Sequence, residues 1–250
     1  MLHFNELPLR HLFCHLDGTT SGPSTFTGAI GKALANCNKL PVVTYVSILE
    51  PDFPDIGNDV LIDLSTDQKY LYEICMAIRS GNCAADLAQR EPGKMSHARW
   101  LTMANRVCRL YIATESPSRT LSDIVTFIVR VYAPTWFDIK RRPSCMEGAK
   151  HLHRYILRSR YLAPELRNNV DACVQRNAFF AHHEAVLLAM INDSDAVIRE
   201  LGSRRIVNAR RSHIADTIRT FKPPQLNFNA CNYYNMVDWS HEYCAPTTTF

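Results

Sequence analysis

The sequence predicts a mainly α protein, a multi-helix array with a short α/β segment of one or two strands at its N-terminus. Apolar residues recur with the 3.6-residue period of helices over most of the chain after Ser65. A strand-like run lies only before that point, at residues 40–48. The 250 residues are 46% hydrophobic and 21% charged, which is typical of a globular protein and excludes disordered and collagen-like chains.

The predicted elements of the N-terminal segment begin with a helix. Asn5 is its expected N-cap, and Pro8 would then fall in the first turn, where a missing N–H costs nothing. We expect residues 17–23 (DGTTSGP) to form a loop and residues 29–34 a short helix. Residues 40–48 (LPVVTYVSI) are the best strand candidate because they are β-branched and aromatic.

The helical body begins after an acidic, proline-containing stretch at residues 50–59. Ser65 and Gln68 fit a capping box, and the helix that follows has one apolar stripe, formed by Leu71, Ile74, Cys75 and Ile78. Ser96 and Ser118 are the expected N-caps of the next two long helices, the second of which should end before Pro134. Further helices are predicted at 147–160, 164–175, 182–191 and 194–210.

These patterns divide the chain into three predicted regions. Residues 1–64 form a mixed α/β segment, residues 65–222 a basic helical domain, and residues 223–250 an irregular tail. The tail is rich in asparagine and aromatic residues and is too apolar to remain in water, so we expect it to pack.

The charge is distributed unevenly along the chain. The formal net charge is only +4, but residues 76–222 contain 24 basic and 13 acidic side chains, whereas both flanking regions are acidic. Of the 28 bases 21 are arginine, whose planar guanidinium suits phosphate oxygens. A basic middle region favours contact with an anion such as nucleic acid. The alternative is a solvated helical surface whose acidic partners lie in the flanking segments.

The basic residues form three ridges on predicted helices, and these are the candidate nucleic-acid-binding residues. Arg99, Arg106 and Arg109 form the first ridge, and Lys150, Arg154 and Arg158 recur at four-residue steps in the second. The third ridge is Arg204, Arg205, Arg210 and Arg211. Trp100, beside Arg99, is a candidate for stacking on unpaired bases, with a place in the core as the alternative. Each ridge is also compatible with an ordinary solvated face.

No motif in the sequence predicts a metal, a cofactor or a catalytic centre. The nine cysteines contain no Cys-x-x-Cys pair, which argues against zinc and favours free thiols in an intracellular protein. His11, Cys14 and His15 lie on one side of a helix but have no fourth ligand at a recognisable spacing. The Gly18–Gly31 region lacks a phosphate-loop pattern. No apolar run is long enough to predict a membrane span.

Four stretches of the sequence resemble the C-terminal half of uncharacterised proteins encoded by invertebrate transposable elements. They are residues 3–10 (HFNELPLR), 16–23 (LDGTTSGP), 96–102 (SHARWLT) and the tail from Asn227-Phe228 to Asp238-Trp239. Those proteins in turn resemble hAT-type transposases, which have an RNase H-like core interrupted by a helical insertion. In that pattern His3 matches the histidine of a Cys-x-x-His element, and Arg99-Trp100 matches the pair that opens the insertion.

The resemblance implies a catalytically incomplete, transposase-derived protein. The two upstream catalytic aspartates of the family have no counterpart in this sequence, and the third acid cannot be assigned. We therefore expect sequence-tolerant DNA binding through the basic helices, in the nucleus, without a cofactor. The alternative is a helical protein-interaction or structural module with no nucleic-acid role. Because a segment taken from a sheet leaves strand edges open, we also expect self-association or a partner protein.

Overall fold

The computed structural model describes residues 2–96, 98–176, 182–211 and 225–238, without the side chains of His3 and of residues 208–211. Helices dominate, and a short two-stranded sheet lies near the N-terminus, which confirms the predicted fold class. The chain forms two compact units. The first is Met1–Arg141 with Arg158–Val174, and the second is Arg142–Leu157 with Gln175–Phe250. The predicted boundaries at 64 and 222 fall inside the first and the second unit respectively.

Twelve α-helices follow one another along the described chain. Their bounds are α1 (Leu2–Asp17), α2 (Ala29–Ala33), α3 (Asn58–Ile62), α4 (Thr66–Ser80), α5 (Ala85–Gln89), α6 (Trp100–Tyr111), α7 (Arg119–Phe127), α8 (Ala133–Arg141), α9 (Gly148–Ser159), α10 (Pro164–Arg176), α11 (His183–Ile191) and α12 (Ala196–Arg211). Short 3₁₀ turns occupy Leu34–Lys39, Cys145–Glu147 and Tyr233–Asn235. The helices predicted from α9 to α12 are thus confirmed to within two residues at each end.

Helix α1 begins earlier than the sequence predicted. It starts at Leu2, so Asn5 is not the N-cap and Pro8 lies inside the helix. The reason is burial, because Phe4, Leu9 and Leu12 lie on one buried face that continues through the predicted cap position. Asn5 is itself buried and donates a hydrogen bond to the Tyr132 carbonyl at 2.9 Å.

The strands are not where the sequence placed them. Strands β1 (Thr20–Gly22) and β2 (Thr25–Phe26) form a small antiparallel hairpin within and just after the predicted loop. Residues 40–48, the predicted strand, have no ladder partner within the described part of the chain. The prediction was wrong because strand propensity reports a preference for extended backbone, whereas a strand also requires a neighbouring strand to pair with.

The core of the first unit is formed around α4 and α6. The predicted stripe on α4 is confirmed, since Leu71, Ile74, Cys75 and Ile78 are fully buried. Gln68 Oε1 accepts a hydrogen bond from the Ser65 amide at 3.1 Å, as the predicted capping box requires. Every residue of α6 is buried. Ser96 is not its N-cap, because the Ser96 hydroxyl accepts from the Ala98 amide in a local turn and the helix begins at Trp100.

Helical backbone continues through Pro134, where a helix end was predicted. Ser118 is the N-cap of α7 as expected, and its hydroxyl accepts from the Leu121 amide. The residues between α7 and α8, Ile128–Tyr132, form a π-helical turn. A proline inside a helix lacks an N–H and clashes with the carbonyl four residues earlier, which here belongs to Arg130 in the widened turn. The π turn therefore lets the chain pass Pro134 without ending the helix.

The second unit contains α11, α12 and the segment 225–238. Gly202 of α12 packs closely against α11, since a Cβ at this position would lie 2.9 Å from the Met190 Cβ. The tail is packed over its described part, as predicted, because Met236 and Val237 are buried. A single antiparallel bridge joins Leu226 to Val237. The remainder of the predicted tail, from Trp239 onward, lies outside the described residues.

Gly81 ends α4 in the left-handed conformation, with φ of 74°, and its amide donates to the Ala77 carbonyl. We expect Gly81→Ala to lower the free energy of unfolding by about 1 kcal/mol, since a Cβ is disfavoured at this φ. Gly81→Asn should cost less, because asparagine tolerates the conformation. Urea unfolding of both variants tests this, and equal effects of alanine and asparagine would contradict it.

Candidate functional site

Two of the three arginines of the first predicted ridge lie in the interior. Arg106 and Arg109 are buried, 8% and 2% exposed. Arg106 donates from Nε to the Gly93 carbonyl at 2.7 Å and from Nη1 to the Leu34 carbonyl at 2.8 Å. Arg109 donates from Nη2 to the carbonyls of Leu40 at 2.6 Å and Ala88 at 3.2 Å. The prediction that these two arginines contact phosphate does not agree with their placement.

The two arginines hold irregular backbone against α6. Among the described residues no carboxylate pairs with either guanidinium, so the carbonyl dipoles take the place of a counter-ion. Leu34 lies in a 3₁₀ turn and Ala88 in the last turn of α5, where backbone carbonyls lack helical partners. A guanidinium with its five donors can satisfy several such groups at once. The positive charges of Arg106 and Arg109 therefore stabilise the fold.

Arg99 and Trp100 lie at the start of α6 and differ in exposure. The Arg99 side chain is 60% exposed, and its Nη2 lies 2.8 Å from Asp67 Oδ2. Trp100 is 3% exposed and packs edge-on against Phe13, with ring centres 5.6 Å apart. The structure therefore places Trp100 in the core and not at an exposed position where it could stack on bases. A buried indole cannot stack on a nucleotide without an opening of the core.

The second ridge is largely engaged in ion pairs. Arg158 donates to Asp138 Oδ2 at 2.8 Å and to the Thr135 hydroxyl at 3.2 Å, and its side chain is 12% exposed. Lys150 is also mostly buried. Only Arg154, between them on α9, is exposed. Two of the three bases are thus held by internal partners instead of lying free on the helix surface.

Lys150 belongs to a polar cluster in the second unit that we call the lysine cluster: Lys150, Glu147, Asp193 and Tyr233. Lys150 Nζ lies 3.0 Å from Asp193 Oδ2 and 3.7 Å from Glu147 Oε1. The Tyr233 hydroxyl donates to Asp193 Oδ2 at 2.6 Å, and the ammonium lies 5.6 Å from the Tyr233 ring centre. The cluster joins α9, the α11–α12 connection and the C-terminal segment. Sequence analysis missed Asp193 and Tyr233, since their separations in the chain carry no periodic signal.

The lysine cluster stabilises and does not offer acid–base chemistry at neutral pH. Burial alone would raise the pKa of Asp193, but hydrogen bonds from Tyr233, the Asp195 amide and Lys150 lower this pKa to about 2. Burial and the adjacent Asp193 carboxylate raise the pKa of the Tyr233 phenol far above its usual value. Both groups consequently keep one protonation state across the physiological range.

The third ridge remains at the surface over its described part. Arg204 is 70% exposed and pairs with Glu200 one turn earlier on α12. Arg205 is partly buried. The side chains of Arg210 and Arg211 lie outside the described residues, although the helix backbone extends through both. We call the outward-facing side of α12 the α12 surface, defined by Val197, Glu200, Leu201, Arg204 and Val207.

The N-terminal glycine region has no free anion site. The α2 amides that an anion would use, those of Ile30 and Gly31, donate to the Asp17 carboxylate at 2.9 and 2.6 Å. Positions 28 and 31 require glycine, because a Cβ at Gly28 would clash with Asp17 and a Cβ at Gly31 would clash with Phe26. The Asp17-Gly18 motif that carries part of the resemblance therefore has a local structural role, capping α2.

The carboxylates do not converge on a cation site. Asp17 caps α2, Asp67 pairs with Arg99, and Asp123 pairs with Arg119. In the part of the chain that the structure describes, no three histidine, cysteine, aspartate or glutamate side chains are grouped as metal ligands. His15 instead lies 3.6 Å from Glu165.

Comparisons with protein-family models, with curated proteins and with solved structures found no significant match. Among the described residues, no helix has both the length and the apolar character needed to cross a bilayer.

Replacing Arg109 tests whether the first ridge is structural. We expect Arg109→Ala to lower the free energy of unfolding by about 3 kcal/mol, because two part-buried carbonyls lose a charged donor and the loss of the buried side chain leaves a cavity. Arg119→Ala is the control, since that side chain is 93% exposed and its loss should cost under about 0.5 kcal/mol. Chemical unfolding gives both values, and equal effects would contradict a structural role for Arg109.

Acid titration tests the lysine cluster. Because the pKa of Asp193 is lowered in the fold, its ionised form stabilises the protein above the unfolded-state pKa. This contribution, about 2 kcal/mol, should be lost as the pH falls from about 5 to 2. Asp193→Asn should remove it at neutral pH and flatten the acid side of the stability profile. The matched control Asp63→Asn, at an exposed aspartate, should leave the free energy of unfolding at neutral pH nearly unchanged. An unaltered profile in Asp193→Asn would count against the cluster.

Proposed function

We propose that the protein binds DNA with little sequence preference, and that the contact is made by α12. The observation that carries this proposal is the exposure of the third basic ridge. Arg204 is 70% exposed, whereas Arg106, Arg109, Lys150 and Arg158 are held by internal partners. Arg99 and Arg154 of the other two ridges are also exposed, but each lies beside bases that are held inside the fold, whereas α12 carries Arg204 together with four further arginines on one helix.

The charge of α12 supports the proposal. Its 16 residues contain five arginines and one acid, Glu200. An exposed ion pair one helical turn apart contributes little, so Arg204 can exchange Glu200 for a phosphate at small cost. Arginines on a helix that contact phosphates fix a protein on the duplex without reading its bases. The sequence resemblance to transposable-element proteins favours DNA as the polyanion.

A second candidate function is protein binding through the same helical pair. The α12 surface includes Val197 and Val207, which are 65% and 46% exposed, and α11 exposes Leu188 at 47%. Exposed apolar side chains grouped on neighbouring elements favour contact with another protein. The two functions differ in their response to salt, because phosphate contacts release counterions and apolar contacts do not.

Fluorescence polarisation with a labelled random-sequence duplex tests DNA binding. We expect binding at low salt, with an affinity that falls steeply as salt is added. Arg204→Glu should weaken binding by about tenfold and reduce the slope of log affinity against log salt by about 1. Melting temperature should not change, since the side chain is exposed.

The matched control is Arg119→Glu, which reverses the charge of another exposed arginine paired with an acid one turn away on its helix. It should bind like the wild type. The absence of binding at low salt, or an affinity for the duplex that is independent of salt, would reject the proposal. Equal losses in both variants would show that net charge is responsible and that α12 has no particular part.

A further inference from the structure

The connection that follows α8 carries a basic motif that the proposed DNA contact does not use. Residues 140–144 read KRRPS, so Ser144 has an arginine three positions before it and another two positions before it. Of all the serines and threonines in the sequence, Ser144 alone has a basic residue at both positions. Protein kinases that act on basic substrates select them by this charge pattern, because their acidic side chains pair with the two arginines. We call residues 141–144 the RRPS segment.

The side chains of the RRPS segment are accessible. All four residues are exposed. Arg141 Nη1 lies 3.9 Å from Asp138 Oδ1, a long contact that can be exchanged at small cost. Asp138 keeps a closer partner in Arg158, whose Nη2 lies 2.8 Å from its other carboxylate oxygen. Another macromolecule can therefore reach both arginines and the Ser144 hydroxyl without opening the fold.

The backbone of the RRPS segment is close to the form in which a kinase binds its substrate, which is an extended segment. Arg141 is the last residue of α8, and the next three residues belong to no helix or strand. Ser144 is extended, with φ of −55° and ψ of 137°. Pro143 also favours extended backbone at Arg142. The Arg142 carbonyl lies 3.0 Å from His151 Nε2, a contact that involves the main chain of the segment and not its side chains.

We propose that Ser144 is a phosphorylation site for an arginine-directed protein kinase. In this reaction Ser144 Oγ forms a bond to the γ-phosphorus of ATP, and the bond from that phosphorus to the β–γ bridging oxygen breaks. ADP leaves, and the hydroxyl proton passes to the catalytic aspartate of the kinase. This proposal concerns the RRPS segment alone and does not depend on DNA binding by α12.

The structure can accept the phosphate at this position. The Ser144 hydroxyl now accepts a hydrogen bond from the Met146 amide at 3.3 Å, and a phosphate oxygen can accept from the same amide. The product would carry nearly two negative charges, and Arg141 and Arg142 are close enough in the chain to pair with them.

Incubation of the folded full chain with Mg-ATP and the catalytic subunit of cyclic-AMP-dependent protein kinase tests the proposal, with tandem mass spectrometry to locate the phosphate. We expect phosphate on Ser144. Arg141→Ala and Arg142→Ala should each lower kcat/KM for this site by about tenfold or more, because each loses a charge-assisted contact with the kinase. Both side chains are exposed, so the melting temperatures of the two variants should stay close to that of the wild type.

Ser118 is the matched control within the same chain. Like Ser144 it is exposed, follows a proline and caps a helical turn through its hydroxyl, but it has no base two or three positions before it. It should remain unmodified, and Arg119→Ala should leave the rate at Ser144 unchanged. A folded chain that stays unmodified at Ser144 overturns the proposal. Equal rates at Ser118 and Ser144, or a rate at Ser144 that neither Arg141→Ala nor Arg142→Ala lowers, also overturn it.

Discussion

The first unit depends on a helix that is buried on all sides and on the two arginines that make this burial possible. All twelve residues of α6 are buried, so its neighbours must include irregular backbone as well as helices. Arg106 and Arg109 extend from α6 to four carbonyls in the segments around Leu34, Leu40, Ala88 and Gly93. Without such donors those carbonyls, one buried and three part-buried, would be left without a partner at a cost of up to about 3 kcal/mol each. The interior therefore requires Arg106 and Arg109, two cations that the sequence alone predicted to bind an external anion.

The presence of an internal partner separates the bases that stabilise the fold from those that remain exposed. Arg158 and Lys150 are each paired with a buried or nearly buried aspartate, which places them in the interior networks of their respective units. Arg204 pairs with an exposed glutamate one turn away, in an arrangement that water and salt weaken easily. Charge that has an internal partner contributes to stability, whereas charge at the surface can be shared with a phosphate. The net charge of a segment does not distinguish these two uses.

Several local features could be predicted from the sequence because their causes are local. The α4 stripe, the Ser65–Gln68 cap and the Ser118 cap depend on residues within one or two helical turns. The failures share a different cause. The start of α1 was decided by a buried face, the passage through Pro134 by a π turn, and the state of residues 41–50 by the absence of a pairing strand in the described fold. In each case the deciding feature is one that helix and strand preferences do not report.

The sequence by itself determined that this chain is mainly helical, where most helices lie and that the positive charge is concentrated in its middle. Only the tertiary structure decided which bases are interior, because the Arg106 and Arg109 acceptors lie between 13 and 72 residues away in the chain. Helical periodicity places a side chain on a face, but it does not reveal whether that face meets water or a loop carbonyl. The three ridges looked equivalent in sequence for this reason, and burial distinguished them.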